Sequence, residues 1–224
     1  MTGSTSDFPL FEDIHLYGVF LHTRRWRSLQ IIGGYNEGIS RVLRPLGVVS
    51  VPRLEKLSIR GVADGEVAHY MVFASGAPML SNVKLTGIEL SPHSALLPMI
   101  AITTLYIEES SFASYDHILQ FLRAAPLLAD LTLAVDVIDD AQPPSANSGT
   151  AVSIPTLITF EIICVLEEEV EYLRDLCAMV ITPALQCLKL NEIYPPALAP
   201  FAERLCMMSQ GDVGLYPALR SLHC

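Results

Sequence analysis

The chain has 224 residues, 51% of them hydrophobic and only 17% charged, with a formal net charge of −10. Such a chain is too apolar to be intrinsically disordered and too acidic for a general nucleic-acid binder, which needs a basic face to release counterions. Thirty-two leucines raise the question of a membrane, yet no uninterrupted apolar run reaches the ~20 residues needed to cross a bilayer; the uncharged stretch 90–107 is broken by Pro92, His93 and Pro98.

In chain order, the N-terminus lacks a basic segment, and Asp7, Glu12 and Asp13 interrupt its apolar part, so no secretory signal is expected. From Pro9 onward a pattern recurs. Apolar residues stand two, five and seven positions after Pro9 (Phe11, Ile14, Leu16), Pro52 (Leu54, Leu57, Ile59) and Pro78 (Leu80, Val83, Leu85). The same offsets follow Pro126 (Leu128, Leu131, Leu133), Pro155 (Leu157, Phe160, Ile162), Pro183 (Leu185, Leu188, Leu190) and Pro217 (Leu219, Leu222, Cys224). Trp26, Leu29 and Ile31 make the pattern without proline, and Pro98 fits after a two-residue slip (Ile102, Leu105, Ile107). Three units end alike in an apolar residue, a variable one, a glycine at +9 and a β-branched residue: Leu16-Tyr17-Gly18-Val19, Ile59-Arg60-Gly61-Val62 and Leu85-Thr86-Gly87-Ile88. Composition alone would give about two such hits among fifteen prolines, against eight strict ones, of which Pro200 falls in a stretch that reads as helix.

Most anchors lie 26 to 29 residues apart, with exceptions of 15, 20 and 34. A period in the high twenties with an L-x-x-L-x-L core is the signature of leucine-rich repeats. Alternation at +5 and +7 reads as a strand with its apolar face inward. The proline sets φ and blocks helix continuation, and so separates each strand from the preceding helix. The expected fold class is α/β: a leucine-rich-repeat solenoid, a ribonuclease-inhibitor-like horseshoe. Residues 1–224 would form one domain of eight or nine irregular units, with a parallel sheet on the concave face and helices outside.

The connections should carry helices, because parallel neighbours need crossovers of about a dozen residues or more. Helices are expected at 65–74, at 114–123 (Ser114 as cap; Ile118, Leu119 and Leu122 on one stripe), and at 199–209. Another opens at Glu167, Glu168, Glu169 and Glu171, with a stripe of Val170, Leu173, Cys177 and Val180. Gly33-Gly34 reads as a turn, and 17–25 is too short for a full helix. Residues 139–153 read as a polar loop insertion, either a surface insertion or a contact loop. The five cysteines, odd in number and without C-x-x-C, read as reduced core thiols of an intracellular protein, cytoplasmic or nuclear.

No catalytic constellation emerges. Nucleophile-elbow, zinc-protease, dinucleotide and phosphate-loop motifs are missing, and the six histidines show no metal-ligand spacing. No catalytic residue, metal or cofactor is expected. The functional candidate is the solvent face of the sheet, where +4, +6 and +8 point outward. Its protein-binding candidates are Lys56, Ser58, Arg60, Lys84, Tyr106, Glu108, Thr132, Glu161 and Lys189. Tyr106, flanked by Lys84 and Arg60, would be the first anchor, since Tyr and Arg dominate binding hot spots.

The segment Arg24-Arg25-Trp26-Arg27-Ser28-Leu29-Gln30-Ile31, then Val51-Pro52-Arg53-Leu54-Glu55-Lys56-Leu57-Ser58-Ile59 and a run of A-P-x-L-x-x-L-x-L units, resembles the leucine-rich C-terminal region of F-box proteins from mushroom-forming fungi, over about residues 8–224. The resemblance implies a horseshoe that recognises a protein substrate for a cullin–RING ubiquitin ligase. It also implies an F-box that docks on the ligase adaptor, and no L-P-x-E-[IL]-L-x-x-[IV]-[FW] stretch is present. The expectation is therefore a non-catalytic protein-binding module. It is either the repeat part of a substrate receptor, contacting the adaptor only with an F-box supplied upstream, or a stand-alone scaffold or truncated product. Stopping at Leu222-His223-Cys224 without a polar cap, the chain would expose its last rung and associate through it.

Overall fold

A computed structural model describes residues 20–33, 36–61, 73, 76–88, 99–110, 112, 115–134, 151–165, 176–177, 179–193 and 216–223. The strands are β1 (Ser28–Ile32), β2 (Lys56–Arg60), β3 (Asn82–Thr86), β4 (Thr104–Glu108), β5 (Asp130–Ala134), β6 (Val152–Ser153), β7 (Thr159–Val165), β8 (Val180–Ile181), β9 (Cys187–Ile193) and β10 (Ser221–His223). Two helices are described, α1 (Asn36–Leu46) and α2 (Tyr115–Arg123). Eight strands form one sheet in the order β1-β2-β3-β4-β5-β7-β9-β10, every pair parallel. The strand order simply follows the chain. The short β6 and β8 pair with each other, outside that sheet.

Each strand of the eight-stranded sheet is entered through the same turn. The amide of the +2 residue donates to the carbonyl of the residue before the proline: Leu54 to Val51 (3.1 Å), Leu80 to Ala77 (3.0 Å), Leu128 to Ala125 (3.2 Å), Leu157 to Ile154 (3.3 Å), Leu185 to Thr182 (3.1 Å) and Leu219 to Tyr216 (3.2 Å). The prolines thus occupy the second position of a β-turn, where their fixed φ is already correct. This adds to the helix-breaking role expected of them: proline builds the entry of the strand. The slip at Pro98 is resolved in the same terms. The turn there bonds Ile102 to Met99 (3.1 Å), so the equivalent of the proline is Ile100. In the first unit Trp26 bonds Thr23 (3.2 Å), which puts Arg24 in that place.

Beyond the turn, one carbonyl per unit accepts two amides from the next. Arg27 accepts from Glu55 and Lys56, Glu55 from Ser81 and Asn82, Ser81 from Thr103 and Thr104, and Thr103 from Ala129 and Asp130. Ala129 continues to Ile158 and Thr159, Ile158 to Gln186 and Cys187, and Gln186 to Arg220 and Ser221. This unbroken ladder holds the register across segments whose intervening lengths differ.

The apolar offsets lie side by side in that register. Leu29, Leu57, Val83, Leu105, Leu131, Phe160, Leu188 and Leu222 make one row, and Ile31, Ile59, Leu85, Ile107, Leu133, Ile162 and Leu190 the other. From Leu57 to Leu190 both rows are buried. A third buried row lies just before the turns: Val51, Ala77, Met99, Ala125, Ile154, Thr182 and Tyr216. Thr182 pays for its place there, since its hydroxyl has no hydrogen-bond partner among the described residues.

α1 was not expected from the sequence. Its buried Ile39, Leu43 and Leu46 stand at i, i+4 and i+7, a helical stripe, while Pro45 in the last turn blurs the helical signal. Over 115–123 the expected helix is present as α2, with Ile118, Leu119 and Leu122 buried. Phe112 meets His117 and Phe121 edge-on at 5.5 and 5.8 Å. Val180, expected on a helical stripe, is instead in β8, where it pairs with Val152; two buried β-branched side chains suit a strand better than a helix. Val152 and Ser153 likewise turn the end of the expected 139–153 loop into β6. The unit at Pro9, the helix at 199–209, the glutamate-led helix start and the body of the loop lie outside the described residues, as does the helix expected at 65–74 except Phe73, which is a turn residue with φ +58°.

The +9 glycine has two separate causes. Gly87 adopts φ +62°, a left-handed conformation that glycine tolerates. Its amide donates to Glu108, just as the amide of Gly61 donates to Thr86 and that of Glu109 to Ala134. Glu109 therefore occupies the glycine position of its unit, with φ +48°. Replacing Glu109 with Gly is expected to stabilise the fold by about 0.5–1 kcal/mol, because an L side chain costs ~1–2 kcal/mol in this region and glycine's extra chain entropy offsets only part of that. A urea midpoint that falls in Glu109→Gly would refute this account. Beside it, Ser110 is fully buried; its hydroxyl donates to the Glu108 carbonyl (2.8 Å) and accepts the Ile88 amide (3.2 Å), so a side chain continues the ladder.

Candidate functional site

Alternation in a strand sends +5 and +7 to one face and +4, +6 and +8 to the other. All nine expected surface residues therefore share one face. The +6 residues form one row through hydrogen-bonded strands: Gln30, Ser58, Lys84, Tyr106, Thr132, Glu161, Lys189 and His223. Every one of them is half-buried or exposed. This is unusual for a parallel sheet, which is ordinarily covered on both faces.

The row is organised at two places. On β3 and β4, the Lys84 ammonium sits 3.8 Å from the centroid of the Tyr106 ring and 3.4 Å from Glu108 Oε2. The buried Thr86 hydroxyl donates to the same carboxylate at 3.4 Å. Burial first, then the charge of Glu108, with Glu161 and Glu109 further off, push the Tyr106 phenol above its ordinary range. The phenol thus stays neutral and keeps its proton at physiological pH. On β7 and β9, Lys189 pairs with Glu161 Oε2 at 3.6 Å, and Asn191 Nδ2 donates to Glu161 Oε1 at 2.6 Å. Thr132 stands between the two groups.

Each lysine is thereby held by a carboxylate on the neighbouring strand. Such exposed pairs add little stability, about 0–1 kcal/mol each. Their effect is to fix the shape of the face: a tyrosine ring capped by a cation, two carboxylates and a hydroxyl lie ready to contact a ligand without further ordering. These groups can donate, accept, pair and stack. No group of three or more potential metal ligands occurs among the described residues.

Arg60 does not flank Tyr106. It lies on β2, two strands away and in register with Thr86, exposed and without an ion pair among the described residues. Lys56 is exposed at the start of β2 and Ser58 half-buried at its centre. Position +8 is not uniformly open, because Thr86 and Ala134 are buried. Sequence reasoning missed the tie of Thr86 to Glu108 and that of Asn191 to Glu161; the signal was the register, which sets Thr86 directly beside Glu108 and Asn191 diagonal to Glu161. Cys187, read as a core thiol, stands at +4 on this face, half-buried and free, whereas Cys177 is buried and free, its thiol pushed up to about 12 by burial. Tyr216 donates to the Cys177 carbonyl at 2.7 Å.

No helix among the described residues is long and apolar enough to cross a membrane. No family model matches the chain, and no curated protein is significantly similar to it.

Proposed function

We propose that the chain is a non-catalytic protein-binding module: a leucine-rich-repeat solenoid of the ribonuclease-inhibitor-like horseshoe type, with its partner on the open face of the sheet. The observation that carries this reading is the +6 row, in register over eight parallel strands and open to solvent. A parallel sheet covered on one side only, with strand order following the chain, is the arrangement a stack of repeats produces. Tyr106 is the anchor, because a half-buried ring capped by Lys84, itself paired to Glu108, offers contact area at small entropic cost. The resemblance to fungal F-box repeat regions makes the partner a ubiquitination substrate, reached through an adaptor-docking F-box upstream. A stand-alone intracellular scaffold is the second reading, favoured by the acidic, motif-free composition.

The test is affinity capture with the full chain, alone and fused behind an F-box. The ligase adaptor should bind only the fusion, and captured proteins should become ubiquitinated when it is present. Tyr106→Ala should weaken capture of the same proteins by roughly ten-fold or more, the scale of a hot-spot residue. Captured proteins that bind Tyr106→Ala and Lys84→Ala as well as the parent would refute the open-face reading. Capture without ubiquitination would leave the scaffold.

A further inference from the structure

A second surface lies on the edge of the sheet where the entry turns emerge, apart from the open face. The turns ask only for proline followed by a small or polar residue, and later units comply with Thr156, Ala184 and Ala218 in the third turn position. The third and fifth strands of the sheet depart from this. Met79 and Leu127 hold that position, and Ile100 takes the proline's place in the unit between them, with exposures of 55%, 51% and 73%. Single exposed apolar residues are ordinary. Three in the entry turns of consecutive strands, spaced about 4.8 Å per strand, line one stretch of this edge with exposed apolar side chains.

This stretch ends in charge of one sign. In the two preceding units the turn carries Arg24 and Arg25 before β1 and Arg53 before β2, all exposed. Arg25 and Arg53 occupy the same turn position on adjacent strands, and none of the three makes an ion pair with a described residue. In a chain of net charge −10, three exposed guanidiniums with no ion-pair partner among the described residues make this end of the edge locally basic.

We propose that this turn edge docks an acidic–apolar segment of a partner protein. Aliphatic or aromatic side chains cover Met79, Ile100 and Leu127, and carboxylates that follow them engage Arg53, Arg25 and Arg24. From β1 to β5 the edge spans four strand spacings, about 19 Å, the reach of roughly six extended residues. Guanidiniums suit carboxylates because the planar fork donates two parallel N–H bonds to the carboxylate oxygens. An anionic bilayer offers the same chemistry, but it meets the whole chain and its excess of negative charge, whereas a peptide meets this edge alone.

The experiment selects a displayed library of random peptides on the full chain, then measures the enriched peptides against variants. Peptides with an apolar half and an acidic half should be enriched, and their affinity for the parent should fall as salt is raised. Arg25→Glu with Arg53→Glu, and separately Met79→Ser with Leu127→Ser, should each weaken them by roughly ten-fold or more. All four positions are exposed, so the fold should persist, and the salt response of the parent serves as an independent measure. Enrichment without acidic residues, affinity indifferent to both double variants, or stronger variant-sensitive binding to phosphatidylserine vesicles than to any peptide would overturn the proposal. Peptides lost on Tyr106→Ala but not on the edge variants would sink it while leaving the open-face reading intact.

Discussion

Phe160→Ala should cost about 3–5 kcal/mol, enough to unfold a domain of ordinary stability. Phe160 is 2% exposed and stands in the +5 row between Leu131 and Leu188, its register neighbours on β5 and β9. Truncation loses the transfer free energy of the ring and leaves a cavity that the flanking strands cannot close, because the ladder fixes their separation. Thr132→Ala, half-buried on the opposite face of β5, should change stability by less than about 0.5 kcal/mol. Urea denaturation of the two variants compares the faces directly. Equal losses would mean that the alternation of faces is wrong.

Gly61→Ala is the second. A methyl group built on Gly61 would lie 2.9 Å from the Gly87 carbonyl oxygen, 2.6 Å from Ile39 Cδ1 and 3.1 Å from Ile88 Cδ1. The isoleucines can turn, but the carbonyl belongs to backbone at the end of the adjacent strand and has little freedom. Overpacking of this kind costs about 1–3 kcal/mol. The effect should appear both in the urea midpoint and as faster hydrogen exchange of the Gly61 amide, which donates to Thr86 at 2.8 Å. A variant as stable as the parent would show that the close approach of β2 and β3 at this end is not real. At this position the demand for glycine is steric, whereas at Gly87 it is conformational. One recurring letter in the sequence therefore answers two different requirements.

Much of the architecture was legible beforehand, and the reason is local. Whether residues at +2, +5 and +7 after a proline are apolar is a property of eight consecutive positions, and the periodicity of a strand is fixed by its pleat. Repetition then carries the register, since strands with equal offsets bury equal rows only when aligned without slippage. Ser58, Lys84, Tyr106, Thr132, Glu161 and Lys189 could thus be placed in one row from the sequence alone. α1 escaped because Pro45 interrupts a stripe otherwise readable in Ile39, Leu43 and Leu46. Val180 was misassigned because a short apolar run has no period of its own, and its state depends on whether Val152 lies alongside.

The sequence by itself determined the period, the alternation of faces and the set of polar residues on the open face, because each of these is encoded within a single unit. Only the tertiary structure decided which of those residues act together. Lys84 rests on Tyr106 while Arg60 stands two strands away from that ring, Thr86 is drawn under Glu108, Glu109 takes a glycine's backbone conformation, and Met79, Ile100 and Leu127 line up along one edge. Those relations join positions twenty or more residues apart or depend on the ladder that aligns them, and they arise from a strand spacing of about 4.8 Å that no single unit contains.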